Sequence, residues 1–243
     1  MINALASFFG VILRHIYDFV SSIGSEPAAI SYYAIAIIVT TLLLRFALLP
    51  LNLFQTKNQL KMAKIQPEMK KIQKKYENDP QLLAQKQSQL YKEAEFNPLS
   101  GCLPMLIQFP VLLAFYRIFM FPTKFAFTNP EFYASIQKNF FFVPTLDHPD
   151  PTKLVLPIIA AFFTWLSTYL VQKANAGPST EQSEQMMKSM SIMMPIMILF
   201  FARNMAAGLV LYWIVGSIYT IFQQQISNKF IEKEKEKEKE KEA

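Results

Sequence analysis

The chain has 243 residues, of which 52% are hydrophobic and 17% charged, with a formal net charge of +6 and one cysteine, Cys102. Its apolar residues come in long blocks instead of being interleaved with charges, which excludes an ordinary soluble domain and marks an integral membrane protein. A lone cysteine excludes an internal disulfide, and the isolated His15 and His148 offer no metal-ligand spacing.

Within 1–27, residues 1–23 place Leu5, Phe8, Phe9, Ile12, Leu13, Ile16, Val20 and Ile23 on one helical stripe, with Asn3, Ser7, Arg14, Asp18 and Ser21 largely elsewhere. That spacing predicts an amphipathic helix lying flat in the interface. No cleavable signal peptide is expected, because a basic n-region and a small-residue cleavage site are missing. The first span, TM1, is read over 28–51. Its apolar run Ile30–Leu51 holds a single charge, Arg45.

Residues 52–97 are rich in Lys and Gln, and Asn78-Asp79-Pro80 is a turn signal. They predict a helical hairpin outside the membrane. TM2 spans 98–120 and carries Pro104 and Pro110 inside it, each removing a backbone donor. Residues 121–152 form a polar and aromatic loop with five prolines. TM3 spans 153–171, a polar loop covers 172–185, TM4 spans 186–203 and TM5 spans 206–226. The tail, 227–243, alternates Glu and Lys and reads as disordered or as a fraying helix extension.

Five spans put the hairpin, the second polar loop and the tail on one side. Counting Lys188 just inside TM4, that side holds 17 of the 24 lysines and arginines, against five on the other when Lys153 and Arg203 at span ends are counted there. The positive-inside rule makes it cytoplasmic, with the N-terminus outside and the C-terminus inside.

Arg45 lies about 9 Å from the inner end of its span by helix rise. A cation there costs at least ~2.5 kcal/mol unless it reaches water. Either it snorkels to the inner headgroups, or it stands in a wet cavity that receives an anion. Thr41 shares its face one turn earlier, although threonine in a membrane helix also bonds its own backbone. Gln108, between the two prolines, makes either a helix–helix hydrogen bond or a polar wall of the same cavity. Tyr212 and Trp213 read as an outer aromatic belt on composition alone. Met186, Met187, Met190, Met193, Met194 and Met197 give an adaptable apolar surface or an ordinary lipid-facing helix.

The hairpin lysines Lys57, Lys61, Lys64, Lys70, Lys71, Lys74 and Lys75 suit anionic lipid headgroups, ribosomal RNA or a protein partner; the plain alternative is a solvated face that fixes topology. The spans show no paired carboxylates, metal-ligand clusters or nucleophile–base sets, and the chain shows no phosphate-cradling glycine loop, so no enzyme and no cofactor are expected.

Three separated stretches, LLRFALLPL (43–51), FNPLSGCLPMLIQFPVLLAFY (96–116) and GLVLYWIVGSIYTIFQQQ (208–225), closely resemble the YidC family of membrane protein insertases. The resemblance covers residues 5–230 in order. It implies an all-α membrane protein of five spans around a hydrophilic groove open to the cytoplasm and laterally to lipid. It also implies that Arg45, Thr41, Gln108, Tyr212 and Trp213 line that groove, with Pro104 and Pro110 shaping one wall.

The implied function is insertion and folding of nascent membrane proteins in the bacterial plasma membrane. The hairpin would recruit substrates, the ribosome or a targeting receptor, with the Sec translocon as a further partner and a monomer as the working unit. The family's large extracytoplasmic domain and its lipoprotein signal are both missing here, as in a naturally short member or a trimmed chain. The Glu-Lys tail replaces a basic one, which weakens the expectation of tail–ribosome binding. On the residues alone, a small-solute transporter or channel, or an assembly factor without insertase activity, stays open. The transporter would require internal repeats and midplane ionisable groups; the sequence shows no repeat and, within the spans, only Arg45 and Arg117.

Overall fold

In lipid a backbone segment must satisfy its own N–H and C=O groups, so long apolar runs fold as helices. The computed structural model describes residues 1–97, 103–175 and 181–242. Among them the chain is all-helical, with isolated bridges and no strand. The longer helices are α1 (Ile2–Ser21), α2 (Tyr32–Ala47), α3 (Leu49–Lys75), α4 (Pro80–Glu93) and α5 (Leu103–Met120), then the short α6 (Pro122–Phe125) and α7 (Pro130–Ser135), then α8 (Val155–Asn175), α9 (Glu181–Ala202) and α10 (Ala207–Glu242).

Two compact units divide the chain. The first is Met1–Ala47, Pro104–Trp165 and Met194–Tyr219; the second is Leu48–Leu103, Leu166–Met193 and Thr220–Ala243. The first carries the apolar core. Phe9 of α1 stacks on Phe115 of α5 at 5.5 Å between centroids, and Tyr17 meets Phe127 edge-on at 5.5 Å. Tyr33, Ile37, Phe115, Ile118 and Leu156 are fully or almost fully buried among them. Gly10 is required where α1 crosses α6, because a Cβ there would run into the Phe125 carbonyl.

The 121–152 segment is part of this core. Phe127, Val143 and Leu146 have no exposed surface. Its backbone bonds to the start of α2: the Ser31 amide donates to the Asn139 carbonyl at 3.0 Å, and Ile30 bridges Phe140. Its carbonyls also receive the first amides of α10, Ala207 to His148 at 2.8 Å and Gly208 to Leu146 at 2.9 Å. Those are helix N-terminal donors that would otherwise be orphaned.

A polar knot holds the segment from inside. Tyr133 donates to Asp147 and lies 3.5 Å from the Tyr33 hydroxyl, and Lys138 pairs with Asp147 at 2.9 Å. Burial, then the neighbouring Tyr33 and Asp147, pushes the Tyr133 phenol well above its usual range, so it stays protonated and keeps donating.

Large apolar side chains remain exposed on the long helices, among them Phe8 and Phe19 on α1, Leu106 and Phe109 on α5, and Phe162 on α8. In water such surface would be a liability; against lipid tails it is the expected face. Ile2–Ser21 and Val155–Lys173 are each long and apolar enough to cross a membrane, and Tyr32–Ala47 and Leu49–Asn58 pass that test only when taken together. The sequence reading lays α1 in the interface, yet its length and composition also suit a crossing. Its Arg14 and Asp18 bond each other at 2.8 Å, which lowers the cost of either placement.

The helix bounds can be set beside the sequence reading in three places. TM1 ends as helix at Ala47, and residues from Leu49 open α3, with Pro50 in its first turn. Proline fits there because its missing N–H is not needed at a helix start. Pro110 lies inside α5, whereas Pro104 is the second residue of α5 as described, with residues 98–102 outside the described part. The tail is helical to Glu242, continuing α10, where alternating Glu and Lys supply both charge signs along the helix.

In the second unit α3 and α4 pack as an antiparallel hairpin with Met69 and Leu90 buried. Asp79 caps α4 by accepting from the Leu82 amide at 3.0 Å, and Pro80 takes the first helical position. Asp79→Ala is expected to cost about 1 kcal/mol of local stability. Hydrogen exchange at Leu82 and Leu83 should then rise about fivefold; unchanged exchange would mean the cap does not hold this turn. In the same unit α3 and α10 meet through uncharged polar pairs: Asn52 donates to Gln223 at 2.9 Å, and Thr56 and Ser227 lie 3.2 Å apart.

Candidate functional site: a lone cation among α2, α5 and α10

Arg45 stands in the last turn of α2, where a cation complements the helix dipole. It is half-buried. Its guanidinium comes up against α10 at Gly216, terminal nitrogen nearest: a Cβ on that glycine would sit 2.5 Å from Nη2, 3.2 Å from Cζ and 3.3 Å from Nε. One turn earlier on α10 is Tyr212, 1% exposed, with its ring stacked on Phe115 at 4.2 Å. The Tyr212 hydroxyl accepts from Gln108 Nε2 of α5 at 3.0 Å. The charge of Arg45 acts on Tyr212 and on Tyr219, and Tyr219 packs edge-on against Phe46 at 5.5 Å. Three helices remote in sequence thus bring Arg45, Gln108 and Tyr212 into one neighbourhood within the first unit.

The other residues singled out from the sequence are placed differently. Thr41 is fully buried, and its hydroxyl donates to the Ile37 carbonyl at 2.7 Å, the backbone-bonded alternative. Trp213 donates through Nε1 to Thr164 Oγ1 at 2.8 Å, and Thr164 donates to the Ala160 carbonyl at 2.7 Å, so this indole is fastened to α8. Tyr212 is a core residue and not part of an outer belt. Pro110 interrupts the α5 ladder two residues after Gln108, freeing the carbonyl of Leu106. The side chains of Pro104, Met186, Met187 and Met190 lie outside the described residues. Met193 and Met197 are exposed on α9.

Among the hairpin lysines, Lys57, Lys64, Lys70, Lys71, Lys74 and Lys75 are exposed. Lys61 is tied to Glu95, 3.5 Å from its carboxylate and 3.1 Å from its carbonyl.

Gly216 and Tyr219 were not found from the sequence. A glycine four residues after Tyr212, in an otherwise apolar helix, was the available signal, since glycine there costs helix stability unless something approaches closely.

Among the described residues no carboxylate lies within ion-pair distance of Arg45, and no group of His, Cys, Asp and Glu could hold a metal ion. The arrangement is therefore a helical protein of membrane character in which Arg45 stands beside the neutral polar pair Gln108–Tyr212, with no carboxylate at ion-pair distance among the described residues. Anions and the negative ends of dipoles are what such a site can attract.

Similarity to known proteins narrows that class. The family described as "60Kd inner membrane protein" matches residues 26–236. The membrane protein insertase YidC of Clostridium tetani is 36% identical over 95% of this chain and 94% of its own length. YidC of Clostridium perfringens is 37% identical over 92% and 89%, and YidC 2 of Bacillus anthracis is 40% identical over 81% and 72%. The chain belongs to the 60 kDa inner membrane protein family, that of the YidC insertases.

Proposed function

We propose that this chain is a membrane protein insertase whose Arg45 attracts acidic segments of incoming substrates while apolar helix faces guide substrate helices into lipid. The observation that carries the charge role is the half-buried Arg45 with no acidic partner among the described residues. A structural cation inside a membrane protein is normally paired, because an unpaired one is expensive. Leaving it unpaired makes sense where a transient anion completes the pair.

In this reading five spans surround a groove open toward the cytoplasm, with the N-terminus outside and the tail inside. Arg45, Gln108 and Tyr212 belong to its polar wall, with Thr41, Trp213, Pro104 and Pro110 as further lining. The exposed hairpin lysines favour recruitment of nascent chains, a ribosome or targeting receptor, and anionic lipid; the family resemblance adds the Sec translocon as a further partner and a monomer as the working unit. Drive comes from apolar partitioning and, for acidic tails, from a membrane potential worth ~2.3 kcal/mol per charge per 100 mV.

The test is reconstitution of the purified chain into liposomes with a single-span substrate bearing either an acidic or a neutral extracytoplasmic tail. Insertion above empty liposomes is expected, scored as a protease-protected fragment. Equal protection with and without the protein would overturn the insertase reading.

A further inference from the structure

We infer that Gly216 is the positioning residue for Arg45: its missing side chain leaves a gap on α10 that the guanidinium fills, and that seat sets where the cation meets an anionic substrate segment. The inference rests on the proposed charge role of Arg45 and adds to it a second residue, on a different helix, that controls the same interaction.

The geometry supports it in three ways. The three atoms nearest to a Cβ built at Gly216 are Nη2, Cζ and Nε of Arg45, so the space a side chain would take is filled by the guanidinium and by nothing else as close. The seat is also directional. Tyr212, one turn away on the same helix, is held by its stack on Phe115 and by the Gln108 bond, so the helix surface beside the guanidinium is fixed before any substrate arrives. Finally, glycine is the costly choice for the helix itself. In the interior of α10 alanine would suit the helix better, and the close approach of a cation is what offsets that cost.

The obstructed group is the end of a long flexible side chain and not backbone. Gly216→Ala should therefore move Arg45 off the α10 surface without breaking the helix, and thermal stability should be equal or slightly higher. The reading differs from ordinary helix packing in one measurable respect: its effect depends on substrate charge and on the shape of the cation. A lysine ammonium is compact and lacks the guanidinium's terminal nitrogen fork that fills the gap at Gly216.

The experiment measures the ratio of acidic-tailed to neutral-tailed insertion in proteoliposomes for the intact chain, Gly216→Ala, Arg45→Lys, the double variant and Arg45→Ala. We expect Gly216→Ala to lower the ratio about fivefold, and to lower it by less than about twofold when Arg45 is already Lys. If Arg45→Ala leaves the ratio unchanged, the charge role fails and the inference with it. If Arg45→Ala lowers the ratio but Gly216→Ala does not, the charge role stands and the seat is wrong. A fall of equal size in the Lys background, or a loss that ignores tail charge, makes Gly216 a packing residue and likewise overturns the inference.

Discussion

Arg45→Ala is expected to lower insertion of a single-span substrate with an acidic tail about tenfold relative to its neutral-tailed twin, with Arg45→Lys retaining much of the activity. The size follows from the interaction lost. A hydrogen bond to a charged group contributes roughly 1.5–3 kcal/mol net, and 1.4 kcal/mol is a factor of ten. Two effects bound it. The attraction between unit charges is stronger in a partly dry site than in water, but taking both ions out of water offsets much of that gain. Half-burial of Arg45 places it between those limits, where a pair is strong enough to matter and weak enough to release. Truncation should spare the fold, since Tyr212 keeps its bond to Gln108 and its stack on Phe115. Equal ratios for the intact chain and Arg45→Ala in proteoliposomes would rule out an essential charge role.

Tail-charge dependence also separates this site from the hairpin. The hairpin lysines carry charge too, but they are exposed, and surface charges are screened within about 8 Å at physiological salt. Raising the ionic strength should weaken recruitment through the hairpin more than pairing at Arg45, so the two contributions can be told apart with one substrate pair.

Much of the helical content was legible because it depends on local composition. The apolar blocks marked the long helices, and Asn78-Asp79-Pro80 marked a turn whose Asp79 caps α4. A single arginine in the run 30–51 was visible for the same reason. The break after Ala47 was legible in principle, since Pro50 is a start signal, but the apolar run around it masked the signal.

What stayed hidden is non-local. The 121–152 segment read as a polar loop because of its prolines, yet its Phe127, Val143 and Leu146 are core residues. Their burial depends on pairing with Asn139, Ile30 and the start of α10, which periodicity does not encode. Thr41 and Trp213 were grouped with Arg45 by spacing and resemblance, whereas their hydrogen bonds run to Ile37 and Thr164. Gly216 was invisible because its partner lies on another helix.

The strongest stability effect is expected at Asp150, which the sequence reading passed over as one more loop acid. Asp150 is 1% exposed, and a buried carboxylate persists only if its oxygens are satisfied. They are: Oδ1 accepts from the Thr152 amide at 2.9 Å, Oδ2 accepts from the Leu156 amide at 2.8 Å, and the Thr152 hydroxyl lies 2.9 Å from each. Thr152 in turn accepts from the Val155 amide at 3.0 Å, so the pair caps the first turn of α8, and Lys153 between them adopts a positive φ of 54°. Asp150→Ala leaves the Leu156 and Thr152 amides without their acceptor at a buried helix start, at a cost of roughly 3 kcal/mol. For a chain of this size that is a fall in Tm of about 6 °C or more. Asp150→Asn keeps one acceptor oxygen and should lose about half as much. The damage should reach function without regard to substrate charge, because the same segment supplies the His148 and Leu146 carbonyls that hold the start of α10, the helix of Tyr212 and Gly216. Thermal melts of Asp150→Ala in detergent decide the matter: an unchanged Tm would show that the carboxylate is not holding this corner. A normal Tm with a selective loss on acidic tails would point to a charge role in place of a structural one.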